Sequence, residues 1–231
     1  MKVNVKLTKT QIENLQNCGT KGKVIEDIAK QVLFKSGAIE VFDCKDLEQQ
    51  INEGDLLVIT PKEEELIVEV KSSHTFIKTG KDKLAFDYKY YKKYSYCKKP
   101  YIQEKSTGTN LGWIFYSQAD WVMSYNVDSS KLYVIKDYQI LKNNVLEDIE
   151  NYINELDKGS YTWYLRNWNN KINDFLEGGV NKSDKCKDSL IGNLELSTKS
   201  IENFGGKCVI FDIEIEKKTE KNTLSLATQS I

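Results

Sequence analysis

The chain has 231 residues, 40% apolar and 29% charged, with a net charge of −1, which is the make-up of an ordinary globular protein of one sizeable domain with an elaboration. No apolar run approaches the ~20 residues needed to cross a bilayer, so a membrane partner is not expected. Five scattered cysteines with no C-x-x-C pair argue against a disulfide framework or a zinc ribbon, and a single histidine, His74, removes mechanisms that need two or more.

The N-terminal MKVNVKLTKT lacks the apolar core of a signal peptide, so a cytoplasmic location is expected. The first strong element is a helix over Lys21–Phe34, with Val24, Ile25, Ile28, Ala29, Val32 and Leu33 on one face and Ser36-Gly37 as its stop. Glu26 lies about 20° from Leu33 on the helical wheel, at the rim of that face, while Asp27 points to solvent. Ala38–Cys44 reads as a strand and Asp46–Asn52 as a polar connection.

Asp55–Thr60 (DLLVIT) and Leu66–Lys71 (LIVEVK) read as two strands joined by the charged turn Pro61–Glu65, hence a hairpin. The simplest register sets Thr60 against Leu66 and Asp55 against Lys71. Period two puts Glu69 and Lys71 on one face and Val68 and Val70 on the other. Inward charges beside an apolar strand are costly unless paired or bound to an ion.

From Lys78 to Lys105 the chain holds nine lysines and six tyrosines, in the form of a long hairpin or a broken helix. Lysines there suit phosphate contacts, and tyrosines suit stacking on exposed bases. With no arginine in the stretch, bidentate reading of guanine is not available to it, which favours structure-directed or nonspecific binding. Gly108–Gly112 reads as a loop, Trp113–Tyr116, Trp121–Asn126 and Lys131–Ile135 as strands, and Asp137–Leu156 as a helix. Trp163–Leu176 is a further candidate helix. The polar stretch Gly178–Lys187 is the expected boundary between a core of residues 1–177 and an extension of 178–231 packed on it. Within the extension a short helix is expected near Asp188–Glu195, a strand over Cys208–Glu216 and a frayed end from Thr219.

Asp55, Glu69, Lys71 and Glu26 together suit phosphodiester hydrolysis. With so few histidines and cysteines, a metal would be held by carboxylates, which points to Mg²⁺ or Mn²⁺. Such an ion on Asp55, Glu69 and Glu26 would neutralise the phosphate and acidify a water. Lys71, kept protonated by its acidic neighbours, would orient the water or stabilise transition-state charge.

The succession GKVIEDIAKQVL, GDLLVIT, LIVEVK resembles the PD-(D/E)XK nuclease superfamily, with Gly54 standing where the family name has proline. The resemblance implies a restriction-endonuclease-like αβββαβ core, an α/β (α+β) fold with a mixed sheet flanked by helices, and Mg²⁺-dependent cleavage of DNA or sometimes RNA. It implies metal ligation by Asp55 and Glu69, an accessory part for Glu26 and catalysis by Lys71. The segments KTGKDKLAFDY, GWIFYSQADWVMSYN and KLYVIK are similar to small phage-type nucleases of that superfamily, which implies that Asp87 and Gln118 lie near the cleft and that Ala119-Asp120-Trp121 begins a core strand. The nucleic-acid contacts expected on this basis are His74, Lys78, Lys81, Lys83, Lys89, Lys92, Lys93 and Gln118. Endonuclease action is expected over exonuclease action, with a homodimer where two strands must be cut. The alternatives are a non-catalytic nucleic-acid-binding module and a phage-type protein-interaction or counter-defence factor.

Overall fold

The computed structural model describes residues 1–17, 19–44, 54–75, 80, 82–92, 101–102, 112–155, 175–180 and 189–218. The expected connection at 46–52, residues 163–174 of the helix expected over Trp163–Leu176, and the chain from 219 lie outside them; Phe175 and Leu176, the end of that expected helix, are strand instead.

The chain opens with a strand, β1 (Lys2–Leu7), whose alternating Val3, Val5 and Leu7 reach the core. A helix, α1 (Lys9–Leu15), follows at once. Its capping box is reciprocal: Thr8 Oγ1 accepts the Gln11 N–H at 3.2 Å and Gln11 Oε1 accepts the Thr8 N–H at 2.9 Å. Neither element was expected, although T-x-x-Q carries the capping signal. Helix α2 (Lys21–Lys35) buries the expected six apolar residues and ends where Gly37 takes φ 102°.

Strands β2 (Glu40–Asp43), β3 (Leu56–Ile59) and β4 (Glu65–Thr75) form an antiparallel succession. The β3–β4 register corrects the expected one by two residues, because Leu56 pairs with Val68 and Ile59 with Glu65. The cause is the turn. Thr60 already bonds Glu64, through its N–H to the Glu64 carbonyl at 3.0 Å, and Glu63 adopts φ 61°, so the loop is shorter than the sequence suggested. A slip of two keeps every side chain on its face but moves Asp55, just before the first pair, away from Lys71 and towards Glu69.

Strands β5 (Asp82–Lys92) and β6 (Tyr101–Ile102) make the Lys/Tyr-rich stretch a hairpin in its described part. Trp113–Tyr116, expected as a strand, is a short helix, α3, opened by Gly112. A four-residue apolar run reads equally as strand or buried helical turn, and only packing decides. Strands β7 (Trp121–Asn126) and β8 (Lys131–Lys136) and helix α4 (Tyr138–Glu155) match expectation. Phe175–Val180 forms β9, so Gly178 sits within a strand that spans the expected boundary. Ser189–Leu196 is β10 rather than a helix: Leu190, Gly192, Leu194 and Leu196 recur at period two, and the strand pairs with both β5 and β9. A short helix, α5 (Thr198–Asn203), and β11 (Lys207–Lys217) complete the described chain.

Seven of these strands form a mixed sheet in the order β2-β3-β4-β7-β8-β11-β1, parallel at β4–β7 and β11–β1. The antiparallel group β6-β5-β10-β9 joins it at the far end of β4, where His74 pairs with Lys83 and Thr75 with Asp82. Reading α2, β2, β3, β4, α3 and β7 in order gives the expected helix, three strands, helix and strand, with β5 and β6 inserted.

Each face of the mixed sheet covers its own core. On one, α1 and α2 pack over Val68, Val70, Met123, Tyr125, Leu132 and Val134. On the other, Leu84 and Phe86 of β5, Leu194 and Leu196 of β10, Ile114, Tyr138, Leu141 and Ile201 cover Val122, Tyr133 and Ile135. Burying each large apolar side chain is worth about 1.5–3 kcal/mol, so both faces contribute to stability. Among the described residues no helix is long and apolar enough to cross a membrane.

Candidate active site

Alternation along β4 sends Val68 and Val70 to the α2 side and Glu69 and Lys71 to the other. Asp55 lies one residue before the Leu56–Val68 pair, and alternation puts it on the Glu69 side of the sheet. Its backbone N–H donates to the Val68 carbonyl at 3.0 Å, and its Oδ2 accepts the Val70 N–H at 2.7 Å. The backbone thus holds the carboxylate at the mouth of the hairpin. Gly54, before it, takes φ 75°, and a Cβ there would meet the Val68 carbonyl oxygen at 3.1 Å. Both features favour glycine immediately before Asp55.

Glu69 is buried, and its Oε1 accepts a hydrogen bond from the Lys71 ammonium. Burial raises the Glu69 carboxyl above its ordinary range; Lys71 opposes that shift and the Asp55 charge reinforces it. The Lys71 side chain is 32% exposed, so the ammonium stands between a buried carboxylate and solvent. On its other flank it lies 5.1 Å from the centroid of the Trp113 ring. Trp113 packs against Phe86 at 5.4 Å and Tyr138 at 5.9 Å between ring centres.

Tyr138 is a site neighbour that the sequence reading missed. It is fully buried at the start of α4, its hydroxyl has no hydrogen-bond partner among the described residues, and burial followed by the Glu69 charge pushes its phenol well up. Its backbone N–H donates to the Asp120 carbonyl at 3.0 Å. Asp120 in turn pairs with Ile67 of β4: its N–H donates to the Ile67 carbonyl at 2.8 Å, and its Oδ2 accepts the Ile67 N–H at 2.8 Å. Asp120 therefore fixes β7 and α4 against the strand that carries Glu69. The A-D-aromatic segment was the signal, and its described bonds are structural.

Glu26 stands apart from the pair. Helix α2 packs on the opposite face of the sheet, and Glu26 is held by Lys23 at 3.0 Å. Lys23 also reaches Asp43 at 3.3 Å, and the next residue, Cys44, donates its N–H to the Asp55 carbonyl at 3.1 Å. Glu26 is thus linked indirectly to the Asp55 end of the sheet. Among the described residues no three His, Cys, Asp or Glu side chains gather to hold a metal, so the expected Glu26, Asp55 and Glu69 triad reduces to a pair.

The pair still suits a hard cation. Mg²⁺ takes one or two protein carboxylates and completes its shell with water and substrate oxygens. The Asp55 charge disfavours ionisation of the buried Glu69, a repulsion that a divalent ion would relieve.

The expected nucleic-acid contacts are spread along the far end of β4 and along β5. His74 is exposed, with Nε2 3.3 Å from Lys21 Nζ and Nδ1 3.7 Å from Asp128 Oδ2. Lys83, Lys89 and Lys92, with Asp87, occupy β5 by backbone position. Lys78, Lys81 and Lys93 lie outside the described residues. Gln118 is exposed, and its side chain donates to the Tyr116 carbonyl at 3.4 Å.

No protein-family model matches the chain, and no curated protein matches it. A search of solved structures finds a bacterial homing endonuclease at 18% identity, covering 52% of this chain and 70% of that one with a TM-score of 0.34. A likeness at that level carries no functional argument.

Proposed function

We propose that the chain is a metal-dependent nuclease that hydrolyses phosphodiester bonds, with DNA as its main substrate class, at Asp55, Glu69 and Lys71. The observation that carries this reading is the buried Glu69 carboxylate, with the Lys71 ammonium bonded to it and the Asp55 charge felt beside it. A hard divalent cation on the two carboxylates would neutralise the phosphate and lower the pKa of a water. Asp55, held by the Val70 N–H through Oδ2, keeps Oδ1 for such an ion. Glu69, whose Oε1 accepts from Lys71, would offer its second carboxylate oxygen to the same ion. Lys71 donates one hydrogen bond to Glu69 and has further protons with which to hold a phosphate oxygen or orient a water. Its partial exposure puts it within reach of a substrate. Glu26 has an accessory part in this reading, at the Asp55 end. The lysines of β5 supply sequence-tolerant phosphate contacts.

The test is cleavage of supercoiled plasmid, linear duplex and single-stranded DNA, and of RNA, each with Mg²⁺, with Mn²⁺ and with EDTA. Metal-dependent cleavage by the wild type, lost in Glu69→Gln and Lys71→Met at equal thermal stability, is the expected result. Binding without cleavage would instead identify a binding module, and absence of both would sink the reading.

A further inference from the structure

We propose that Trp113 is a positioning residue for Lys71, its indole face fixing the ammonium beside Glu69; this rests on the nuclease reading above. A lysine ends in a compact charge on four flexible carbons, so its placement depends on what surrounds the ammonium. Here two groups do so. Glu69 accepts a hydrogen bond from it on one side, and the Trp113 ring lies 5.1 Å away on another. An indole face attracts a cation through its quadrupole, and more strongly where water is partly excluded.

The ring itself is fixed. It packs against Phe86 of β5 and Tyr138 of α4, at 5.4 and 5.9 Å, and those two rings stack on each other at 6.2 Å. Its helix, α3, is clipped to α4, since the Ser117 carbonyl accepts from Gln139 Nε2 at 3.2 Å and from Lys142 Nζ at 2.9 Å. Lys142 is itself buried, and burial pulls its ammonium down. The shelf beneath Lys71 is therefore built from three elements distant in sequence, and none of its residues contributes a carboxylate to the pair. A rigid aromatic surface under a mobile cation is what a precisely placed ammonium requires.

The experiment has two arms. In the first, the ε-methylene signal of Lys71 is observed by NMR in the full chain, identified by its absence in Lys71→Met. The expected result is an upfield ring-current shift in the wild type, partly kept in Trp113→Phe and lost in Trp113→Leu. A bulk-lysine position in the wild type overturns the proposal whether or not the protein cleaves anything. In the second, cleavage by Trp113→Leu is expected to lose about 10- to 100-fold in kcat with KM unchanged. Trp113→Phe should recover part of that loss. A loss that falls on KM alone, or that Trp113→Phe does not recover at all, overturns the proposal. Absence of cleavage by the wild type fails the nuclease reading separately and removes the catalytic consequence, leaving the NMR arm to decide the positioning.

Discussion

Asp55 Oδ2 takes the N–H of Val70, the residue between Glu69 and Lys71 on β4, and the Asp55 charge is felt at the Glu69 carboxyl. The hairpin backbone therefore holds two like-charged groups together, at a cost the fold bears whenever both are ionised. Glu69 titrates above its ordinary 4.5 in the folded chain because of burial first, with the Asp55 charge adding to it against Lys71. The folded state then binds more protons than the unfolded state between those two values. Stability falls as pH rises through that window, and the penalty is fully present above it. A divalent cation should relieve it. Saturating Mg²⁺ or Mn²⁺, at a hundredfold excess over Kd, is expected to stabilise by about 2.7 kcal/mol and raise Tm by about 5–10 °C. Differential scanning fluorimetry should show that rise in the wild type and not in Asp55→Asn or Glu69→Gln.

Glu26 offers a contrast within the same chain. Its described partner is Lys23, which Glu26 and Asp43 together hold at a raised pKa of about 12 despite the opposing effect of burial. Cleavage by Glu26→Gln is expected to stay within about tenfold of wild type, whereas Asp55→Asn and Glu69→Gln lose about 10²–10³-fold or more. Equal losses at all three positions would place Glu26 in the reacting centre.

Asp82 joins the two strand groups. Thr75 Oγ1 and Ser129 Oγ donate to it at 2.9 Å each, and the Tyr133 hydroxyl donates as well. Burial would raise its carboxyl, but these donors outweigh it and hold it below the ordinary 3.8. Its contribution is thus present above the unfolded value and is lost as pH falls through the lower folded one. Asp82→Ala should destabilise by about 2–3 kcal/mol at neutral pH, measured by urea unfolding, with the gap to wild type closing in strong acid.

Tyr138 buries a hydroxyl with no partner among the described residues. Such a group costs about 1–3 kcal/mol. Tyr138→Phe is therefore expected to unfold at the same temperature as wild type or a few degrees higher. A drop of several degrees would mean that a bound water satisfies the hydroxyl.

Much of the site was legible because it is local. Asp55, Glu69 and Lys71 lie on one hairpin, and period two alone puts the last two on one face. The register was not legible, since it depended on Glu63 entering a left-handed conformation that its residue type does not advertise. The Trp113–Tyr138 shelf was hidden for a different reason: its rings come from separate elements, and WIFY reads as a strand until its partners are known. Strand β10 was misread because glycine and asparagine interrupt an otherwise alternating run, and what secures it is pairing with β5 and β9 far away in sequence. The edge strand β1 carries a plain alternation of Val3, Val5 and Leu7.

Strand β4 belongs to both strand groups: Glu69 and Lys71 sit in its part paired with β7, and Thr75, six residues beyond Glu69, pairs with β5. At about 3.3 Å per residue the two ends of that span are some 20 Å apart on one continuous backbone. One strand thus serves as a common edge for both groups, and a displacement of β5 would be felt on the same backbone that carries Glu69 and Lys71.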